Sequence, residues 1–207
     1  MWEFDKSVAA RFEHEAHNHI PDYERVIDLC CRIAEYKELP LDATIVDIGS
    51  ALGETLYQFK GNGYDNVYGV ESSEAMKDAS MFRDRIILSS VYPPNFKADM
   101  VTMNWTLHFI KDKYSYLQDI YENLSSNGIF ILTDKTTQSE TTKELYYDFK
   151  RNNGVSDEYI LEKEKDLKGY MFLESVHWYF YTLDVIGFSK IEIVNSSLGF
   201  TTFYCEK

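Results

Sequence analysis

In 207 residues the chain holds 44% hydrophobic side chains, enough to fill one core and too many for a disordered polymer. Its 21 Lys and Arg face 34 Asp and Glu, a formal charge of −13 without a basic stripe to displace phosphate counterions; direct binding of DNA or tRNA is disfavoured and a small-molecule partner is expected. No apolar run has the length of a membrane span and MWEFDKSVAARFEHE lacks a signal peptide's apolar core, which predicts a cytoplasmic protein with no membrane partner.

Residues 1–40 read as a helical segment, with one helix over 22–38 behind Pro21. Adjacent Cys30 and Cys31 fit that helix as small, reduced apolar residues. With Cys205 they form neither a CxxC pair nor an even disulfide set. ATIVDIG (43–49) predicts a strand and 53–60 a helix. NVYGVE (66–71) is a second strand, and SSEAMKDA opens a helix capped by Ser72 or Ser73. RIILSS (85–90) and ADMVTMNW (98–105) give two more strands, and 114–124 a helix. Asn127-Gly128 turns the chain into the strand GIFILTDK (128–135). The polar stretch over 136–172 reads as a helical insertion, two amphipathic helices joined through Asn152-Asn153-Gly154. A helix over 174–186 and an antiparallel pair, KIEIVNSS and GFTTFYCEK, complete the chain. Apolar β-branched strands separated by helices predict an α/β fold, a mostly parallel sheet covered on both faces, in a single domain spanning 1–207.

The stretch IVDIGSALGETL (45–56) ends its apolar run in an acid and two glycines four apart. Gly49 permits a tight turn at the strand end, and Gly53 permits close approach of the next helix. The lysine of a phosphate-binding loop is missing. Ala51 holds the middle position of a dinucleotide loop, and Glu54 directly after Gly53 would oppose a pyrophosphate. The loop suits a nucleoside without phosphates. Glu71, ending the second strand, has the spacing of an acid that reaches ribose hydroxyls, and Asp47 is placed to meet an ammonium group. Taken singly, both acids read as solvated strand ends; in register with the loop they describe a site for S-adenosylmethionine (SAM), an adenosine with a cationic amino-acid tail.

D-x-G-x-x-x-G followed by VYGVESSEAM resembles the SAM-binding core of class I methyltransferases, whose Rossmann-like fold the resemblance implies. WEFDKSVAARFEHEAHNHIPDY, MVTMNWTLHFI, IYENLSSNGIFILTDK and DFKRNNGVS narrow the likeness, in order along the chain, to the carboxy-SAM synthase group, whose product serves tRNA uridine modification. Carried over residue by residue, the resemblance implies Tyr23 near the cofactor and Gly49, Ser50 and Ala51 along its methionine end. It implies Glu71 and Ser72 at the ribose, with Glu71 where the family often has Asp. Ser89 and Ser90 fall where an acid and its neighbour flank the adenine, and Asn104 matches the family's asparagine. The group forms homodimers. It also carries an arginine, directly after a lysine in the second insertion helix, that pairs with the transferred carboxylate. Here Lys163 keeps its place and Glu164 follows it. Two unit charges at about 4 Å interact by about 4 kcal/mol at an effective dielectric of 20, so exchanging attraction for repulsion costs about 8 kcal/mol before screening. Lys165 compensates only if the helix register shifts by one.

His108, three residues beyond Trp105, stands where a general base would serve methyl transfer, or simply packs there. His14, His17 and His19 lie close together in HEAHNH, but no matching ligand pair follows later in the chain. That run reads as a solvated segment, and no metal is expected. Tyr146, Tyr147 and Phe149, and the run HWYFY (177–181), read as core first and as acceptor-pocket walls second. Arg151, in the insertion, is the expected contact for an acidic acceptor. The leading expectation is a SAM-dependent methyltransferase acting on a small molecule, with SAM or S-adenosylhomocysteine bound. Its alternatives are a carboxy-SAM synthase drawing its carboxyl group from prephenate, and a non-catalytic SAM-binding sensor.

Overall fold

A computed structural model describes residues 4–207; the first three residues of the expected N-terminal segment lie outside the described ones. Three helices come first, α1 (Lys6–Ala9), α2 (Phe12–His19) and α3 (Tyr23–Tyr36). Then follow β1 (Ile45–Ile48), α4 (Glu54–Gly61), β2 (Val67–Glu71), α5 (Glu74–Ala79), β3 (Ile86–Leu88) and β4 (Ala98–Asn104). The second half runs α6 (Lys113–Asn123), β5 (Leu124–Lys135), α7 (Glu140–Asn152), α8 (Asp157–Leu167), α9 (Val176–Ile186), β6 (Lys190–Ser197) and β7 (Phe200–Glu206).

The strands form one seven-stranded sheet in the order β3-β2-β1-β4-β5-β7-β6. β1 to β5 run parallel, and β7 is antiparallel to both β5 and β6. The chain leaves β1 toward one edge and later returns to its other side as β4. The carboxyl ends of β1 and β4 therefore flank the switch in strand order, where open α/β sheets make their ligand crevice.

Period-two alternation divides the buried strands between two layers. Val46, Ile48, Val101, Met103, Phe130 and Leu132 face α6 and α9, meeting Leu117, Ile120, Tyr179 and Leu183. Ile45, Met100, Ile129 and Ile131 face the other way, against Cys30, Cys31 and Ala34 of α3 and Leu56 and Phe59 of α4. All three cysteines are free and buried. The expected α/β architecture is borne out, including the antiparallel C-terminal pair.

Two local expectations need correction. β3 ends at Leu88, with the Ser89 N–H making a last bond to the Glu71 carbonyl at 2.9 Å, so Ser89 and Ser90 lie beyond the strand rather than in it. β5 begins at Leu124, before the expected turn. Its register on β4 jumps from Ala98↔Leu124 to Met100↔Ile129, and Asn127 (φ 63°) takes up the extra residues in the left-handed region.

Candidate active site

Beyond the carboxyl ends of β1, β2 and β4 lies a cavity of about 880 Å3, near the upper end of the usual size range for small-molecule pockets. Its floor is the loop after β1. Gly49 (φ 70°) makes the turn, and a Cβ there would sit 2.0 Å from Thr106 Oγ1, so no side chain fits. Ala51 also lies in the left-handed region (φ 46°), and its N–H donates to Glu71 Oε2 at 3.0 Å. The Ser73 N–H donates to Oε1 of the same carboxylate at 2.8 Å. Glu71 is thus fixed by two backbone donors and keeps acceptor capacity on each oxygen. Ser73, not Ser72, caps α5 by accepting from the Met76 N–H at 3.1 Å.

Asp47 is buried at this end and accepts from Thr102 Oγ1 at 2.6 Å. Burial pushes its carboxyl up to about 7, against the opposing hydrogen bond from Thr102. Glu54, also on the cavity wall, is raised by burial as well. Tyr23 stacks on Trp105 with ring centres 4.6 Å apart. Buried Asn104 donates to Cys30 Sγ at 3.7 Å, while its Oδ1 and the Ser50 Oγ have no partner.

His108 lines the same cavity and is almost wholly buried. Its Nδ1 is hydrogen-bonded to Asp134, which no solvent reaches and which also accepts from the Tyr179 hydroxyl. A carboxylate on Nδ1 fixes the ring's orientation and leaves Nε2 for exchange with a bound molecule.

Helices α7 and α8 roof the far end. Lys135, Lys143, Lys150 and Lys163 all reach the cavity there, with Glu15 and Glu164. Lys143 pairs with Glu164 at 3.1 Å, and Lys163 is paired with Glu15. The Lys135 and Lys150 ammoniums lie over one ring, Tyr146, at 4.7 and 4.3 Å from its centre. Burial pushes Lys135 down to about 8. Burial and then neighbouring Lys135 push Lys150 down to about 7.

A profile of the methyltransferase domain family matches residues 12–184. The chain belongs to that family. The methyltransferase is 29% identical to the carboxy-S-adenosyl-L-methionine synthase of Campylobacter jejuni over its whole length and 94% of that protein. It is 29% identical to the synthase of Haemophilus ducreyi over 92% of this chain and 86% of that one. Among solved structures it superposes on magnesium protoporphyrin IX methyltransferase from Synechocystis PCC 6803 with bound S-adenosylhomocysteine. The TM-score is 0.71 at 11% identity, covering 99% of this chain and 96% of the other. A SAM-dependent methyltransferase from Aquifex aeolicus gives a TM-score of 0.62 at 15% identity, with 99% of both chains covered. The methyltransferase is a Rossmann-like SAM-dependent transferase.

The residues of the β1 end fit SAM. A buried acid whose proton is held by burial and by neighbouring Glu54 and Glu71 is relieved by a cation, and the unpartnered Asn104 and Ser50 oxygens await donors or a close ligand surface. Of the residues expected to bind the cofactor, Tyr23, Asp47, Gly49, Ser50, Ala51, Glu71, Ser72, Ser89, Ser90 and Asn104 come together on the cavity wall. Gly53 does not. It caps α4 at φ 95°, and a Cβ there would lie 2.9 Å from the Phe82 ring, so it serves helix packing behind the loop.

Arg151 is a second correction. It points away from the cavity and is held by Asp148 at 2.6 Å and Asp157 at 2.7 Å, so it is not the contact for an acidic acceptor. His19 departs from the solvated reading of HEAHNH. It is buried on the cavity wall, and burial pushes its imidazole down to about 4. His17 does stay outside, bonded to the Glu13 carbonyl and Glu24. Tyr146 walls the cavity, whereas Tyr179 is core and Tyr181 is exposed. Lys165 is absent from the wall and does not replace the missing arginine.

Sequence reasoning missed Asp134 and the lysine cluster. The lysines carry a signal: Lys143, Tyr146, Tyr147 and Lys150 stand at helical i, i+3, i+4, i+7 spacing, which puts two lysines on the aromatic face of α7.

Proposed function

We propose that the protein transfers the methyl group of SAM to a small-molecule acceptor, in the cytoplasm, with residues 1–207 acting as one unit. The observation that carries this reading is the single cavity in which the β1 loop and the roofing helices face each other. A roofed space of that size admits a small acceptor beside the cofactor.

Asp47 and Asn104 hold the amino-acid tail, Glu71 accepts from the ribose hydroxyls, and Ser89 and Ser90 border the adenine. Bound SAM supplies an electrophilic methyl on a sulfonium. His108 is the base, taking the acceptor's proton at Nε2 while Asp134 holds Nδ1. Trp105 and Tyr23 exclude water from the junction between the two ends of the cavity.

A second reading, carboxy-SAM synthesis, is favoured by the full-length likeness to the Campylobacter jejuni synthase and by the pairing of Glu164 with Lys143. That pair masks the charge that would otherwise repel a carboxylate. Mass spectrometry of small molecules released from the purified protein, before and after incubation with SAM and prephenate, separates the readings. A SAM-derived species heavier by a carboxyl group establishes the synthase. S-adenosylhomocysteine formed with an added acceptor establishes the methyltransferase, and SAM returned unaltered in every mixture points to a sensor. Homodimerisation, implied by the family resemblance, is checked by light scattering.

A further inference from the structure

The roofed end of the cavity carries more positive charge than its acids neutralise. Of the five lysines on the cavity wall, Lys143 is paired with Glu164 and Lys163 with Glu15, and Lys168 stands just beyond the end of α8. Among the described residues no ion pair engages Lys135 or Lys150, yet Lys150 is only 5% exposed. Both ammoniums lie against the Tyr146 ring, with Lys135 also 5.9 Å from the centre of Phe200. Aromatic faces attract a cation but do not neutralise it. A buried ammonium and a half-buried one sharing one ring repel each other, and both are shifted toward the neutral amine. Such an arrangement costs the free protein stability and is relieved by an anion placed between them.

We propose that the roofed end of the cavity is an anion-binding subsite, in which Lys135 and Lys150 hold a carboxylate of the acceptor while Tyr146 and Phe200 wall its apolar body. This rests on the reading of the protein as a SAM-dependent transferase with a small acceptor, and it names that acceptor's class, a small apolar carboxylic acid. The lysines come from two separate elements, the end of β5 and the inner face of α7, so the subsite exists only when the insertion lies over the sheet. It replaces Arg151, whose guanidinium is already committed to Asp148 and Asp157 outside the cavity.

Calorimetric titration of the full chain, first with S-adenosylhomocysteine and then with benzoate and its neutral isostere benzamide, tests the subsite. The expected result is benzoate binding at least about tenfold tighter than benzamide, the scale of a charge-assisted hydrogen bond. Lys150→Met and Lys135→Met each abolish that preference, Lys150→Arg retains it, and Arg151→Ala leaves it unchanged. Equal binding of benzoate and benzamide, binding of neither, or a preference that survives both methionine variants overturns the subsite. Since the benzoate–benzamide comparison uses the unaltered protein, it decides the matter even where a variant fails to fold. Failure to bind S-adenosylhomocysteine overturns the transferase reading instead, and the benzoate titration of the unloaded protein still decides the subsite.

Discussion

The two ends of the cavity are built from opposite charge and different scaffolding. At the β1 end, Asp47, Glu54 and Glu71 stand on strand ends and the first turn of α4, positions fixed by the parallel sheet. At the roofed end, Lys135, Lys143, Lys150 and Lys163 stand mostly on helices inserted after β5. The acidic end suits a cationic nucleoside, and its backbone is pinned by left-handed Gly49 and Ala51. The basic end suits an anion and is held by side-chain pairs together with a few backbone bonds, such as that from the Phe172 N–H to the His108 carbonyl at 2.7 Å. The sheet thus determines what every member of this fold shares, while the insertion determines what this chain does with it. In a protein of formal charge −13, five lysines on the wall of one cavity represent a local reversal of sign.

The largest effect is expected where the two ends meet. Asp134→Ala removes the acceptor for both His108 and Tyr179 in a site closed to solvent, and should cost about 3–5 kcal/mol in urea unfolding. A loss below about 1 kcal/mol would show that water or another residue replaces the carboxylate. Gly49→Ala comes next, at about 2–3 kcal/mol, because it combines a left-handed φ with a Cβ placed against Thr106. Its calorimetric titration should also show S-adenosylhomocysteine affinity failing while benzoate binding persists, the sharpest separation of the two ends.

The acidic end should respond to pH. Asp47 binds a cation only when ionised, and with its carboxyl pushed up to about 7 the charged form is lost as pH falls through neutrality. S-adenosylhomocysteine should therefore bind up to about tenfold more weakly at pH 6 than at pH 8, the change in ionised fraction across that window. Asp47→Asn should flatten the profile, and a profile equally steep in the variant would assign the titration elsewhere.

The basic end gives the smallest effect and the opposite sign. Lys150 is held near 7 in the fold, facing Lys135, Lys143, Lys163 and Glu164, whereas in the unfolded chain it titrates near its ordinary value of 10.5. The fold carries the full cost of the buried charge below about pH 7 and sheds it as pH rises toward the unfolded value. Lys150→Met should raise the unfolding temperature of the ligand-free protein by about 2–4 °C at pH 6 and by less at pH 9. A variant destabilised at pH 6 would mean that the ammonium is supported by contacts other than the Tyr146 and Tyr147 rings.

The acidic end is legible in the chain because backbone geometry and residue type coincide there. Gly49 at a strand end, an acid two residues before it and Glu71 closing the next strand are spaced by the fold itself. Gly53 misleads because its sequence position is the same whether a glycine faces the ligand or Phe82 behind the loop. The basic end is not legible in the same way. Lys150 and Arg151 are adjacent, and only the rotation of α7 decides that Lys150 turns inward while Arg151 finds Asp148 and Asp157 outside. Asp134 is hidden by its setting near the end of the apolar run GIFILT, where nothing in the sequence tells a buried acid from a solvated strand end.

Helix α2 is more than a neighbour of the roof. Glu15 accepts from the Tyr159 hydroxyl at 2.7 Å and is paired with Lys163, and the Tyr146 hydroxyl donates to the His19 carbonyl at 2.8 Å. Two stretches far apart in the chain are thereby laced into a single flap, with one carboxylate as the principal knot. To part α2 from α8 at that point, Glu15 must release both Tyr159 and Lys163, so one carboxylate couples the N-terminal segment to the insertion.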